Sequence, residues 1–172
     1  PFSVNYENAP VINIAELSKK VPVLGICYGA QRTAKQFNGK VEKSNKREYG
    51  RAYLQIQQDD ILFKDVTSNS QVWMSHGDSI IELPDNFELL ATTESIPVAG
   101  FKKKTSNNEN ALYGLQFHPE VYHSIEGKKI IENFIVQVCK CNKDWTPSSY
   151  ISETVASLKK QIGDHHVIMA LS

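Results

Sequence analysis

The spacing of hydrophobic and polar positions changes several times along the chain, and each change predicts an element. Pro1 to Pro10, with Asn5, Asn8 and Pro10, reads as loop, and Val11 to Ser18 as a short, weakly patterned helix. Val21-Pro22-Val23-Leu24-Gly25-Ile26 is a continuous apolar run of buried-strand type. A helix follows from Tyr28 to about Phe37, and Asn38-Gly39 stops it, glycine being the usual residue just past a helix end. An extended stretch starts at Val41. Ser44 to Gly50 then reads as a polar loop, Arg51 to Gln57 alternates like a strand, and Asp59 to Asp65 is a turn carrying Leu62 and Phe63.

Short β segments come next, at Gln71 to Met74, Ser79 to Leu83, Glu88 to Thr93, Val98 to Lys102 and Leu112 to Phe117. Turn signals such as Pro84-Asp85-Asn86 and Thr105-Ser106-Asn107-Asn108 separate them. The spacing predicts a helix from about Ser124 to Lys140, with Ile130, Ile131, Phe134, Ile135 and Val138 on one face. Asn142 to Pro147 is a linker. Ser149 then caps a second helix with an apolar stripe of Ile151, Val155, Leu158 and Ile162, stopped by Gly163. His165 to Leu171 reads as a last strand.

Composition narrows the class. The chain has 172 residues, enough for one domain with its own core. Lys and Arg together balance Asp and Glu at 19 each, which argues against a surface built for nucleic acid or anionic membrane. No apolar run approaches the roughly 18 residues of a membrane span, and no signal peptide precedes the first strand. An odd count of 3 cysteines does not suit a full disulfide framework, and a chain that works through a free thiol has a reducing cytoplasm as its natural compartment. Neither end looks natural: Pro1-Phe2-Ser3 is not a methionine start, and Leu171-Ser172 stops just after a strand-like run, so a piece of a longer chain is expected.

Two stretches carry candidate chemistry. Gly25-Ile26-Cys27-Tyr28-Gly29 joins the first strand to the first helix. It is the cysteine version of the Gly-x-Ser-x-Gly elbow, in which a tight turn exposes a nucleophile. A helix N-terminus behind the sulfur suits an anionic nucleophile. Gly114-Leu115-Gln116-Phe117-His118-Pro119-Glu120 is the second stretch. A thiol nucleophile needs a base that takes its proton and returns it to the leaving group, and histidine titrates in the right range. A carboxylate on its other ring nitrogen fixes the tautomer, a place Glu120 can fill. Other polar residues carry less. Cys139 and Cys141 would point about 200° apart on a helix, so they do not make a metal pair. His165 and His166 would face opposite ways on a strand.

Together, Gly25 to Gln31 and Gly114 to Val121 resemble the triad-type (class I) glutamine amidotransferases. Within that family, Val72 to Asp78, Ser44 to Gly50, and Trp145-Thr146-Pro147 followed by a helix and His166 to Ser172 resemble the GMP synthetase branch. The resemblance implies an α/β fold, a mixed central sheet flanked by helices, with the family's first strands missing upstream of Pro1. It implies Cys27 as nucleophile, His118 as base and Glu120 as its orienting carboxylate, with Gln31, Ser75 and Asp78 lining the glutamine pocket. Asp78 suits the substrate's ammonium. Of the two oxyanion-hole N–H groups the family uses, only that of Tyr28 is present, and losing one such donor costs on the order of 10²–10³ in rate.

The same resemblance places an amidotransferase domain at residues 1–143, and at 144–172 a linker helix and the first strand of an ATP-pyrophosphatase domain. It implies no cofactor or metal within this chain. ATP and Mg2+ belong to the synthetase domain, which takes ammonia for amination of XMP to GMP and makes a homodimer contact. Two other readings compete. The amidotransferase could serve a different synthetase, against which the Trp145 tail argues. A non-catalytic interaction domain of the same fold would not need Cys27, His118 and Glu120 intact.

Overall fold

Strand β1 (Val23–Ile26) is the apolar run before the elbow, and it pairs in parallel with β7 (Leu112–Leu115), Ile26 opposite Leu115. In this computed structural model, which describes residues 3–106, 109–144 and 146–168, those strands begin a mixed sheet of order β1-β7-β6-β5-β3. Strands β6 (Gly100–Lys103), β5 (Phe87–Thr92) and β3 (Gln55–Ile56) add antiparallel to β7 in turn. Helices α1 (Ile14–Lys20) and α2 (Tyr28–Gln36) flank it. All of β7 is buried, which is why it reads as an unbroken apolar run. One core cluster holds Leu62, Met74, Leu115, Phe117 and Ile130, and the other Ile14, Ala30, Ala34, Ile80 and Phe101.

A two-stranded ribbon forms a second sheet and packs its Met74 and Ile80 into the same two cores. Strand β2 (Lys40–Tyr53) pairs antiparallel with β4 (Gln71–Glu82). The sequence predicts a loop at Ser44 to Gly50 and two separate segments at Gln71 to Met74 and Ser79 to Leu83. The structure instead runs one strand through each. Glu48 to Gly50 and Ser75 to Asp78 stay extended because all but Gly77 of these residues have partners across the ribbon, while residues 44–47 have no register partner and form the irregularity between Lys43 and Glu48.

The next helix starts later than the pattern predicts. Helix α3 (Gly127–Glu132) continues as a π-helical stretch over Asn133–Val138, where the N–H of Cys139 reaches the carbonyl of Phe134. Residues Pro1–Lys140 form one compact unit, and Cys141–Ser172 another. In the second unit, α4 (Pro147–Ile162) is capped by Thr146, whose side chain accepts from the N–H of Ser149. Ser149 is therefore the third residue of the helix and not its cap, and its hydroxyl answers the N–H of Thr146. His165 to Ile168 form no strand. Met169 to Ser172, Trp145, Asn107 and Asn108, on which parts of the expected strand, linker and turn fall, lie outside the described residues. No described helix is long and apolar enough to cross a membrane.

Candidate active site

Cys27 sits where β1 ends and α2 begins, with φ 49° and ψ −103°. A non-glycine residue there stores roughly 1–3 kcal/mol of backbone strain. Two hydrogen bonds hold it: its N–H donates to Leu115 O at 2.7 Å, and its carbonyl accepts from the N–H of Gln31 at 3.1 Å. The two glycines of the elbow have different jobs. A Cβ on Gly25 would lie 2.7 Å from the carbonyl carbon of Gly29, so close packing of helix on strand requires the first glycine. A Cβ on Gly29 would meet nothing.

Because β1 and β7 are parallel neighbours, their C-terminal ends deliver Cys27 and His118 to the same edge of the sheet, where ligands of α/β folds bind. Beyond β7, the N–H of Gln116 donates to Ala99 O at 2.9 Å and that of His118 to Trp73 O at 3.0 Å. Ser124 Oγ donates to His118 O at 2.5 Å. The following turn is closed by Gly127, where a Cβ would come within 2.0 Å of the Pro119 carbonyl oxygen.

His118 Nδ1 lies 2.6 Å from Glu120 Oε1. The pKa of its imidazolium is pushed up to about 9. The Cys27 side chain is the largest cause, burial opposes it, and the Glu120 carboxylate adds to it. His118 Nε2 is buried. Both neighbours favour the protonated ring, which stands between the Cys27 side chain and the Glu120 carboxylate.

A cavity of about 610 Å³ opens on the other side of the sulfur. Cys27, Tyr28, Gln31, Ser75 and Asp78 all line it, together with Ser3 and His76. His118 and Glu120 do not line it. Tyr28 is the first residue of α2, so its N–H has no partner within the helix. Ser75 contributes its backbone, the carbonyl oxygen standing 3.8 Å from Cys27 Sγ. Asp78 is 8% exposed and accepts from the hydroxyl of Ser3. Gln31 is turned inward: its amide donates to Asp78 O at 2.7 Å and to Gln116 Oε1 at 3.3 Å, tying α2 to β4 and to the end of β7.

Sequence reasoning missed Gln116, Ser3 and His76 as site residues. Gln116 is fully buried, with Nε2 3.9 Å from Cys27 Sγ. It lies beyond the end of β7, where the chain bends, so no strand periodicity marked it. Ser3 carried no local signal, because only the tertiary fold brings it to Asp78.

A family model, glutamine amidotransferase class-I, matches residues 1–138. This chain belongs to the class-I glutamine amidotransferases. GMP synthase (glutamine-hydrolyzing) of Cytophaga hutchinsonii is 47% identical over 173 residues, and GMP synthase (glutamine-hydrolyzing) 1 of Bacteroides thetaiotaomicron is 49% identical. Each alignment takes in 100% of this chain, which spans 33% of the length of either relative. Among solved structures, a Thermoplasma acidophilum protein assigned to GMP synthase superposes with TM-score 0.63 and 36% identity, over 78% of this chain and 61% of that one. A Thermotoga maritima glutamine amidotransferase shares the fold at TM-score 0.54 and 23% identity, over 87% of this chain and 60% of that one. The amidotransferase fold expected from the sequence is the one observed.

Proposed function

We propose that this amidotransferase chain hydrolyses glutamine at Cys27 and supplies ammonia for the ATP-dependent amination of XMP to GMP. One observation carries the reading. A cysteine on a strained elbow has a His118–Glu120 pair on one side and, on the other, a cavity holding a buried carboxylate.

The steps follow from that arrangement. The Cys27 sulfur attacks the side-chain amide carbon of glutamine, and the amide oxygen becomes an oxyanion beside the N–H of Tyr28. The C–N bond breaks as His118 gives its proton to the nitrogen, and ammonia leaves. Water then attacks the γ-glutamyl thioester while His118 takes its proton, releasing glutamate and the thiolate. Glu120 keeps Nδ1 engaged, so the proton moves at Nε2. Gln31 and Ser75 shape the pocket, and Asp78 holds the substrate's ammonium.

ATP and Mg2+ would bind in a synthetase domain outside these residues. The exposed stripe of Ile151, Val155 and Leu158 on α4 suits packing against it. A cytoplasmic setting suits the thiol. The test is labelling of the full-length protein with a glutamine-like alkylating agent, located by peptide mass spectrometry. Modification confined to Cys27 and blocked by glutamine is expected. Absence of label at Cys27 would overturn the reading.

A further inference from the structure

The strands walling the cavity set two opposite charges against each other. Lys43 of β2 and Asp78 of β4 are direct partners across the antiparallel ladder, and both line the cavity over Cys27. Directly opposed residues of such a ladder hold their Cβ atoms about 4.5–5.5 Å apart, within reach of an ion pair. They form none. The Asp78 carboxylate accepts from the Ser3 hydroxyl, and Lys43 has no carboxylate partner among the described residues. Lys43 is also the last paired residue before the register shift of β2, the kind of irregularity that re-aims a side chain beside a site.

Ser3 is itself fixed in place. Lys35 Nζ donates to Val4 O at 2.8 Å and to Asn5 Oδ1 at 2.9 Å, and Asn5 Nδ2 donates to Val41 O at 3.2 Å. The N-terminal segment is thereby fastened to both α2 and β2, with its serine hydroxyl on the Asp78 carboxylate.

We propose that Lys43 completes the site in which the glutaminase reading already gives Asp78 the ammonium, so that the pair receives both charges of a free α-amino acid. Lys43 takes the α-carboxylate and Asp78 the α-ammonium of the glutamine whose amide reaches Cys27. This assignment deepens the glutaminase reading and rests on it. It makes Lys43 a specificity-determining residue. It also excludes glutamine inside a peptide, which carries neither charge.

The experiment is steady-state ammonia release by the full-length protein with ATP and XMP present. Three amides are compared: glutamine, 4-aminobutanamide, which lacks the α-carboxylate, and 5-amino-5-oxopentanoic acid, which lacks the α-ammonium. Lys43→Met is expected to raise KM for glutamine about tenfold, the size of one lost hydrogen bond between charged groups, with the change in KM rather than kcat. The preference for glutamine over 4-aminobutanamide should shrink by the same factor, and Lys43→Arg should restore most of it. Asp78→Asn should instead erode the preference over 5-amino-5-oxopentanoic acid. Equal losses on glutamine and 4-aminobutanamide in Lys43→Met, or no loss on either, would overturn the assignment. A wild-type protein that hydrolyses glutamine not at all would instead overturn the glutaminase reading, and this assignment with it.

Discussion

The backbone N–H of Cys27 donates to the carbonyl of Leu115 at 2.7 Å, which makes the nucleophile's residue the last rung of the β1–β7 ladder. The elbow is therefore part of the sheet, and its strained φ of 49° is held by the parallel pairing beneath it. His118 comes three residues after Leu115, past the end of that partner strand, so the β1–β7 ladder brings both groups to one edge, and the bond of the His118 N–H to Trp73 O fixes the second.

Cys27→Ala should abolish glutamine hydrolysis in the full-length protein while leaving synthesis from added ammonia. Cys139→Ala and Cys141→Ala, which touch no part of the cavity, should match wild type in the same assay. Residual hydrolysis by Cys27→Ala would remove the sulfur from the chemistry.

Glutaminase activity should fall as pH rises through about 9, where the His118 imidazolium loses the proton it gives to ammonia. That limb belongs to the His118–Cys27 pair and not to one residue. Glu120→Gln removes one of the groups that raise the imidazolium and should move the limb to lower pH. Stability follows the same sign. The folded value is raised above the ordinary histidine value, so the contribution is fully present below about 6.5 and is lost as pH climbs through the folded value. Thermal melts across pH 6 to 10, wild type against His118→Gln, check this, and parallel curves would contradict it.

Gly25→Ala and Gly29→Ala should differ sharply. The added methyl at Gly25 meets helix backbone that cannot give way, whereas the one at Gly29 enters open space. Gly25→Ala is expected to cost about 2 kcal/mol or more by overpacking. Gly29→Ala, in the first turn of α2, should lie within about 0.5 kcal/mol of wild type. Urea denaturation gives both values, and equal costs would mean the elbow is looser than its contacts indicate.

Glutamine hydrolysis should be slow until the synthetase domain's nucleotide site is filled. The apolar stripe on α4 needs a covering surface, and coupling between sites requires differential affinity for two states. Glutaminase rates of the full-length protein with and without ATP and XMP test it. Equal rates would reduce the segment after Lys140 to a tether.

The sequence alone determined what is local. The apolar run of Val21 to Ile26, the glycine at position 25 and the cysteine after Ile26 specify an elbow, because strand, tight turn and helix are each set by neighbouring residues. His118 and Glu120 were legible for the same reason, being two apart on one turn. The tertiary structure decided what depends on distant chain. That Glu48 to Gly50 left the expected loop, and that one strand ran through Ser75 to Asp78, turned on β2 finding β4, since a polar stretch becomes strand when a partner accepts its backbone groups. The register of that pairing set Lys43 opposite Asp78. Gln116 became a neighbour of the sulfur, and Ser3 of Asp78, only through folding, since no local pattern joins residues so far apart in the chain.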